Sequence, residues 1–402
     1  MRILTGDARD VLKTLPDESV QCCVTSPPYY GLRDYGVDGQ IGLEKTPDEY
    51  IAEMVAVFRE VRRVLLKDGT LWVNIGDSYA SSAKSLGRND AGRNFTGGGG
   101  NKEGSGNPGR QGSIKRSLGE CKEKDLIGIP WMLAFALRAD GWYLRRDIIW
   151  SKANPMPESI KDRPTSAHEY VFLLSKNARY FYDADAIRED YAPSSAERYK
   201  YEFRADVASA KENKSPALGA GKIDQNASGR NSRSVWTIAT QPSGIAHFAM
   251  MPTALAEKCI LAGTSEAGCC PHCGAPHERV TEKGDPDIEH QRACGGDATG
   301  GYSGTAVKDY TAAGAQDASA VKARILAGMR KKSTTGWRPT CDCPEHMPVP
   351  CTVLDPFSGA GTTAMVADRI GRSAIGIELN PRNVAITHDR IRGDAGMFAE
   401  IA

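Results

Sequence analysis

A buried-strand pattern that runs straight into two prolines is the most constraining feature of this sequence. Residues 20–24 form a short apolar run bounded by turn residues, which is typical of a buried strand. Pro27 and Pro28 follow at once, and they allow neither further ladder bonding nor a helix. The strand must therefore end in a stiff loop, residues 25–29, at its carboxyl end, where open α/β sheets bind ligands.

The side chains of this loop suit a planar base that carries an amino group. Ser26 offers a hydroxyl, and the two prolines offer carbonyl oxygens but no N–H group. Tyr29 adds a flat ring for stacking. A proline-stiffened surface turn is the alternative interpretation, so a functional assignment requires a second, independent motif.

That second motif lies near the carboxyl terminus. Asp355 ends a predicted strand, Gly359 and Gly361 form the turn after it, and the next predicted strand ends at Glu378. Such an acid can accept hydrogen bonds from two ribose hydroxyls. No Lys-Ser or Lys-Thr follows the glycines, which excludes a P-loop. Asp355 would repel a pyrophosphate but suits the sulfonium and amino group of S-adenosylmethionine.

Strands and helices alternate along much of the chain. Apolar positions at helical spacing predict a helix over residues 46–66, between predicted strands at 20–24 and 70–77. A second helix over 127–141 precedes a strand pair, 142–152 and 168–176, near the sheet edge. This rhythm predicts an α/β fold with a doubly wound, mostly parallel sheet.

Residues 25–29 resemble the catalytic motif of DNA amino-methyltransferases, and residues 355–363 resemble the methyl-donor loop of methyltransferases. The catalytic motif comes first, which resembles the beta class of adenine-N6 and cytosine-N4 enzymes. The resemblance implies a circularly permuted, Rossmann-like fold that uses S-adenosylmethionine. It covers residues 1–80, 126–182, 236–267 and the segment from 350.

The resemblance also implies roles for individual residues. The catalytic residues are Ser26, Pro27, Pro28 and Tyr29. The donor-binding residues are Asp7, Thr25, His247, Phe248, Asp355, Pro356, Phe357, Gly359, Gly361, Thr362, Thr363, Glu378 and Asn380. The target base is expected to be flipped out of the duplex and held against Tyr29. Hydrogen bonds from its amino group to Ser26 Oγ and the Pro27 carbonyl would free the nitrogen lone pair for in-line transfer.

The same reasoning divides the chain into seven segments. These are a catalytic half (1–80), a flexible, glycine-rich basic loop (81–125), more of the methyltransferase domain (126–182), a target-recognition region (183–235), a donor-contacting helix (236–267), a cysteine-bearing insertion (268–349) and a donor-binding half (350–402). Basic residues alternate with aromatic ones in the recognition region, which suits phosphate contacts and base stacking. On composition alone, a solvated insertion is an equal alternative, and the resemblance favours recognition.

Four of the eleven cysteines are spaced as metal ligands. Cys270 and Cys273 form a knuckle followed by glycine, and Cys341 and Cys343 form a second pair far downstream. This pattern predicts a tetrahedral structural zinc site, although the second pair has one intervening residue where two are usual. The alternative ligands are His272, His277, His346, Cys269 and Cys294, and the alternative interpretation is free structural cysteines.

The net charge of +1 requires double-stranded DNA to meet a local basic face. No signal peptide or membrane span is recognisable, so we expect a cytoplasmic protein. The absence of a nuclease motif favours a stand-alone enzyme of restriction-modification type, and the resemblance allows a homodimer. Ser26 can accept from either base, so adenine and cytosine stay equally open. A catalytically silent DNA-binding regulator and an RNA or protein-glutamine methyltransferase are the alternative functions.

Overall fold

The computed structural model describes residues 1–32, 34, 36–80, 121–190, 229–241, 250–286 and 330–396. Most of the predicted glycine-rich loop, the centre of the predicted recognition region, and both His247 and Phe248 lie outside the described residues. The chain divides into two compact units. One comprises Met1–Asp183, Arg233–His277 and Pro339–Ala402, and the other comprises Ala184–Ser232 and Glu278–Arg338.

The first unit carries most of the regular structure. Its strands are β1 (Arg2–Thr5), β2 (Val20–Thr25), β3 (Leu65–Ile75), β4 (Tyr143–Lys152), β5 (His168–Ser175), β6 (Val235–Ile238), β9 (Thr352–Asp355) and β10 (Ser373–Glu378). Its helices are α1 (Ala8–Val11, continued by a 3-10 turn at Leu12–Thr14), α2 (Pro47–Val64), α3 (Ile129–Ala139), α4 (Thr253–Gly263), α5 (Thr362–Arg369) and α6 (Pro381–Ala395). Strands β7 (His277–Pro286) and β8 (Arg330–Pro339) form a separate two-stranded sheet.

The eight strands form one sheet in the order β1-β10-β9-β2-β3-β5-β4-β6. Strand β5 pairs antiparallel with β3 and β4, and the other pairings are parallel, so β5 alone among these eight strands runs against the rest. The expectation of an α/β fold with a mostly parallel sheet is therefore confirmed.

The strand order reverses between β9 and β2. From β9 the chain proceeds to β10 on one side, whereas from β2 it proceeds to β3 on the other. Such a topological switch point opens a crevice at the carboxyl ends of the two central strands, and ligands of doubly wound folds bind there. Both sequence motifs follow these two strands.

Helix boundaries follow from local capping. Helix α2 begins with a capping box, in which the Thr46 hydroxyl accepts from the Glu49 amide and Glu49 accepts from the Thr46 amide. The Asp77 carboxylate, directly after β3, accepts from the amides of Gly128 and Ile129 and so caps α3. Helices α1, α2 and α3 pack together, and α4, α5 and α6 form a second group, as expected for a sheet covered on both faces.

Strand β3 begins earlier than the strand predicted at residues 70–77. It begins already at Leu65, which pairs with Val20, and the register shifts between Val20 and Cys22. This irregularity accommodates the polar residues 67–69 without ending the strand. Cys22 and Cys23 are fully buried in β2, which confirms their prediction as strand core. Within the described residues, no helix is both long and apolar enough to cross a membrane.

Candidate active site

Four neighbouring parallel strands end in polar side chains at the same edge of the sheet. In the order β1, β10, β9 and β2, these are Asp7, Glu378, Asp355 and Ser26. Side chains at the carboxyl ends of adjacent parallel strands lie side by side. The topology therefore brings the predicted donor-binding acids and the predicted catalytic loop to one crevice.

A direct hydrogen bond joins the two motifs across the switch point. Thr25 Oγ1 at the end of β2 donates to Asp355 Oδ1 at the end of β9 over 2.6 Å, and both residues are buried. Thr363 Oγ1 in the first turn of α5 donates to the Val24 carbonyl over 3.2 Å. These two bonds fix the donor loop against the strand that carries Ser26.

Asp355 is a buried carboxylate with an altered acidity. Only 5% of the surface of Asp355 is exposed. Burial raises the pKa of Asp355 to about 6, and hydrogen bonds from Thr25 and the Phe357 amide oppose that rise. Glu378 raises it further through charge repulsion. At neutral pH, a desolvated negative charge therefore sits at the switch point.

Glu378 closes the glycine loop. Its Oε2 accepts from the Gly359 amide over 2.8 Å, and its Oε1 accepts from the Asn380 amide and from Asn383 Nδ2. Burial raises the pKa of Glu378 against these hydrogen bonds. A carboxylate has about four lone-pair sites, so Glu378 keeps acceptor capacity for a ligand hydroxyl.

The glycine loop depends on residues without side chains. Gly359 and Gly361 have φ values of 54° and 74°, in the left-handed region that favours glycine. A Cβ on Gly361 would lie 2.3 Å from Thr387 Cγ2, so this turn packs directly against α6. The side chain of Asn380 caps α6 by accepting from the Arg382 amide.

Asp7 is bound differently from the other two acids. It caps α1 and accepts hydrogen bonds from Nε and Nη2 of Arg9, which lowers the pKa of Asp7. Arg9 also pairs with Glu53. Among the described residues, in contrast, neither Asp355 nor Glu378 has a basic side chain among the groups that shift its pKa. The crevice can therefore supply two uncompensated carboxylates to a cationic ligand.

Tyrosine side chains hold the predicted catalytic loop, residues 25–29. Tyr50 on α2 donates to the Pro28 carbonyl over 2.8 Å, and the ring of Tyr50 contacts that of Tyr30 with centroids 5.5 Å apart. The Pro28 carbonyl therefore already accepts one hydrogen bond within the protein. Ser26 Oγ and the Pro27 carbonyl are the acceptors that this bond does not use.

Tyr29 is anchored at its hydroxyl and at its ring. The hydroxyl donates to Glu169 Oε2 over 2.5 Å. Burial and the nearby Glu169 charge raise the pKa of Tyr29 well above its usual range, so the phenol stays protonated. The ring packs on the backbone of Gly76, where a Cβ would lie 2.8 Å from Tyr29 Cε2.

Three residues around Tyr29 were missed by the sequence interpretation. Glu169 Oε1 accepts from Lys152 Nζ over 2.7 Å, and Glu169 Oε2 also accepts from Asn74 Nδ2 over 3.1 Å. Asn74 lies in β3, Lys152 ends β4, and Glu169 lies at the amino end of the antiparallel β5. Polar side chains at the ends of otherwise apolar strands were the available signal. The antiparallel pairing of β5, which brings the amino end of this strand to the crevice, could not be predicted from the sequence.

The four predicted metal ligands lie together at another place. The sulfur atoms of Cys270, Cys273, Cys341 and Cys343 lie within 4.8 Å of one another. None of the alternative ligands joins this group among the described residues, and Cys294 lies outside them.

Comparison with known proteins identifies the family. The N6/N4 methyltransferase family model, described as DNA methylase, matches residues 20–270 and 351–389. This chain belongs to the DNA methylase family. It is 35% identical to the Type II methyltransferase M.Cfr9I of Citrobacter freundii over 100% of this chain and 90% of that protein. It is also 35% identical to the Type II methyltransferase M.SmaI of Serratia marcescens, over 97% and 90% of the two chains.

Two further similarities complete the comparison. The Type II methyltransferase M.SfiI of Streptomyces fimbriatus is 31% identical over 94% of this chain and 88% of its own. The solved structure of the PvuII DNA methyltransferase (cytosine-N4-specific) is 16% identical, with a TM-score of 0.47 over 99% of this chain and 93% of its own.

This DNA methylase is accordingly an enzyme that transfers a methyl group from S-adenosylmethionine to a DNA amino group, and its substrate is DNA. The crevice fits that donor, because S-adenosylmethionine carries a sulfonium and an amino group and the buried Asp355 has no compensating cation among its described neighbours. When bound, the donor supplies an electrophilic methyl group.

Proposed function

We propose that this DNA methylase methylates the exocyclic amino group of a base extruded from duplex DNA, with Ser26, Pro27 and Tyr29 receiving the base. The observation that carries the proposal is the 2.6 Å hydrogen bond between Thr25 and Asp355. It places the loop that would hold the base beside the loop that would hold the donor.

The donor side follows from charge. Asp355 and Glu378 would bind the cationic donor, with Asp355 near its charged methionine end and Glu378 accepting from the ribose. Gly359 and Gly361 let the donor approach the backbone. Asp7 would act at the adenine end while it remains paired with Arg9.

The base side follows from hydrogen-bond capacity. An exocyclic amine donates two hydrogens, and Ser26 Oγ with the Pro27 carbonyl would accept them, whereas the Pro28 carbonyl already accepts one hydrogen bond from Tyr50. These bonds would draw the nitrogen toward tetrahedral geometry and free its lone pair. The base must leave the helix to reach this loop, and the anchored ring of Tyr29 would stack on it.

The order of the motifs supports the beta-class arrangement, since the catalytic loop precedes the donor loop along the chain. The similarity to enzymes named Type II methyltransferases supports a restriction-modification role with a specific DNA site. Residues 183–235 stay the predicted recognition region. Cytoplasmic residence and a homodimer also stay predictions, the second to be measured by light scattering.

The decisive experiment compares two serines that flank β2. Ser26→Ala should lower methyl transfer from tritiated donor to duplex DNA on the order of 10²–10³-fold, which is the usual cost of removing one hydrogen-bonding group that acts in the transition state. Ser19 precedes β2, is half-buried, and its hydroxyl bonds to the nearby Pro16 carbonyl, so Ser19→Ala is the matched control with full activity.

Donor affinity should be unchanged in both serine variants, because neither side chain is placed on the donor. Full activity in both Ser26→Ala and Tyr29→Ala would overturn the proposal. Digestion of the methylated DNA and identification of the nucleoside would name the base as N6-methyladenine or N4-methylcytosine. Parallel assays with RNA and protein should give no transfer.

A further inference from the structure

The cysteine cluster lies outside the active site and is not used by the methyl-transfer reaction. Cys270 and Cys273 lie in a tight turn after α4, and Cys341 and Cys343 follow β8. Their four sulfur atoms lie within 4.8 Å of one another. In the part of the chain that the structure describes, no other His, Cys, Asp or Glu group converges in this way.

The spacing of the sulfurs matches a tetrahedral thiolate site. Zinc–sulfur bonds of about 2.3 Å imply sulfur–sulfur separations of roughly 3.8 Å. The observed limit of 4.8 Å is wider by an amount that small rotations of the side chains would close. The single residue between Cys341 and Cys343 therefore does not prevent both sulfurs from facing the same point.

The backbone of the turn supports bound thiolates. The His272 amide donates to Cys270 Sγ over 3.4 Å, and the Gly274 amide closes the turn on the Cys270 carbonyl over 2.9 Å. Amide donors aimed at a ligand sulfur stabilise its thiolate form. Gly274 has a φ of 73°, and a Cβ there would lie 2.9 Å from Leu66 Cδ1, so the turn is held in one conformation.

The nearby His346 is placed as a neighbour and not as a fifth candidate ligand. Its Nδ1 lies 3.9 Å from Cys270 Sγ but only 2.6 Å from the Pro344 carbonyl. A carbonyl only accepts, so Nδ1 is the donor in this contact, and neither ring nitrogen of His346 belongs to the group of ligand atoms that lie within 4.8 Å of one another.

The cluster is attached to the end of the sheet that lies opposite the crevice. Gln21 Nε2 donates to the Gly274 carbonyl over 3.1 Å, and Gln21 Oε1 accepts from the Thr352 amide over 2.7 Å. Gln21 is near the start of β2 and Thr352 begins β9. At about 3.3 Å per residue, Gln21 lies roughly 16 Å along the strand from Ser26. A metal at the cluster therefore cannot touch the reacting groups.

We propose that Cys270, Cys273, Cys341 and Cys343 bind one structural zinc ion. The ion links the knuckle, which is tied to β2 and β9 through Gln21, to the chain segment that returns after β8. The Thr340 hydroxyl donates to the Pro276 carbonyl over 2.7 Å, so the two segments already meet beside the cluster. The zinc fastens the two ends of the cysteine-bearing insertion to the first unit.

The test begins with the metal content of the full-length protein. When the protein is purified without chelators, elemental mass spectrometry should find close to one zinc ion per chain. Cys273→Ser should remove most of the zinc, while Cys121→Ser, a matched control at a cysteine outside the cluster, should keep it. Folded wild-type protein with no bound metal, or with iron in place of zinc, would overturn the proposal.

Two measurements on the wild type guard against a variant that fails to fold. A mercurial thiol reagent should release the zinc in step with modification of four thiols, as followed with a zinc-binding dye. Cobalt(II) in place of zinc should give the intense visible absorption of tetrahedral thiolate coordination. A weak octahedral cobalt spectrum, or disulfides among the four cysteines in a thiol count, would contradict the assignment. These readouts do not depend on methyl transfer.

Discussion

The buried polar groups at the two ends of strand β2 differ in how they are paired. At the amino end, Gln21 uses both ends of its amide, donating to the Gly274 carbonyl and accepting from the Thr352 amide. Beside the carboxyl end, at the tip of the neighbouring strand β9, Asp355 is buried as an acid whose pKa is raised to about 6 and has no basic partner among its described neighbours. At one end both polar atoms of Gln21 have a partner, and at the other Asp355 keeps an uncompensated charge.

Polar groups that stabilise the fold and polar groups that would bind the ligand therefore lie at opposite ends of β2. A satisfied buried amide contributes to folding, whereas an unpaired buried carboxylate destabilises the free protein and is retained where a ligand will pair with it. The carboxyl end should therefore respond to mutation mainly in binding and catalysis. The amino end, with the cysteine cluster, should respond mainly in the free energy of unfolding.

The largest effect is expected for Asp355→Asn. Loss of a buried charge that faces a cationic donor should weaken donor binding by about 3–4 kcal/mol, on the order of 10²–10³-fold. The same variant should raise the stability of the donor-free protein at neutral pH by up to about 3 kcal/mol, because it removes the cost of an ionised group with a raised pKa. Calorimetric titration and thermal unfolding measure the two effects, and a fall in both would contradict the proposed separation.

Glu169→Gln tests the anchoring of Tyr29 apart from donor binding. Without the charge that joins Tyr29 to Lys152, the ring should lose its fixed position, and kcat should fall roughly 10–100-fold. Donor affinity should not change, because the hydrogen bonds of Glu169 within the described residues go to Tyr29, Asn74 and Lys152. Glu158→Gln is the matched control, since Glu158 also forms a partly buried ion pair, with Arg163. Equal kcat values for the two variants would refute the positioning role.

Donor binding should also depend on pH through Asp355. Below a pH of about 6 its carboxyl group is neutral in the free protein and no longer attracts the donor. The affinity should be constant above pH 7 and fall by about tenfold per pH unit below pH 6. The stability of the free protein has the opposite sign: since the folded pKa is raised, this group adds stability as the pH falls from 6 toward 4. Titrations with Asp355→Asn should be flat over the same range.

Local signals were sufficient for much of the fold. The capping pair Thr46 and Glu49 and the apolar spacing of α2 were readable within one window of sequence, and so was the strand that ends at Glu378. The adjacency of β2 and β9 was inferred from the order of two motifs and the known fold of the resembling family. The hydrogen bond from Thr25 to Asp355 could not be predicted from the sequence alone.

Long-range pairing explains what could not be predicted. Glu169 reaches Tyr29 only because β5 runs antiparallel beside β3, and no pattern within residues 168–175 states that direction. Likewise, Asp7 was expected as a donor contact, but its pairing with Arg9 depends on the local turn of α1. The four cysteines, in contrast, were predicted from their spacing to form one site, and their sulfurs lie within 4.8 Å of one another.

The smallest effect on catalysis is expected for Gly274→Ala, at the amino end. Its φ of 73° disfavours any side chain, and the added Cβ would press on Leu66 Cδ1 at 2.9 Å and on Gln21 Nε2 at 3.1 Å. The free energy of unfolding should fall by about 1–3 kcal/mol. Because the crevice lies at the other end of β2, methyl transfer per folded molecule should stay within about twofold of wild type. Denaturant unfolding and active-site titration measure the two quantities, and a selective loss of kcat with unchanged stability would show that the two ends of β2 are coupled.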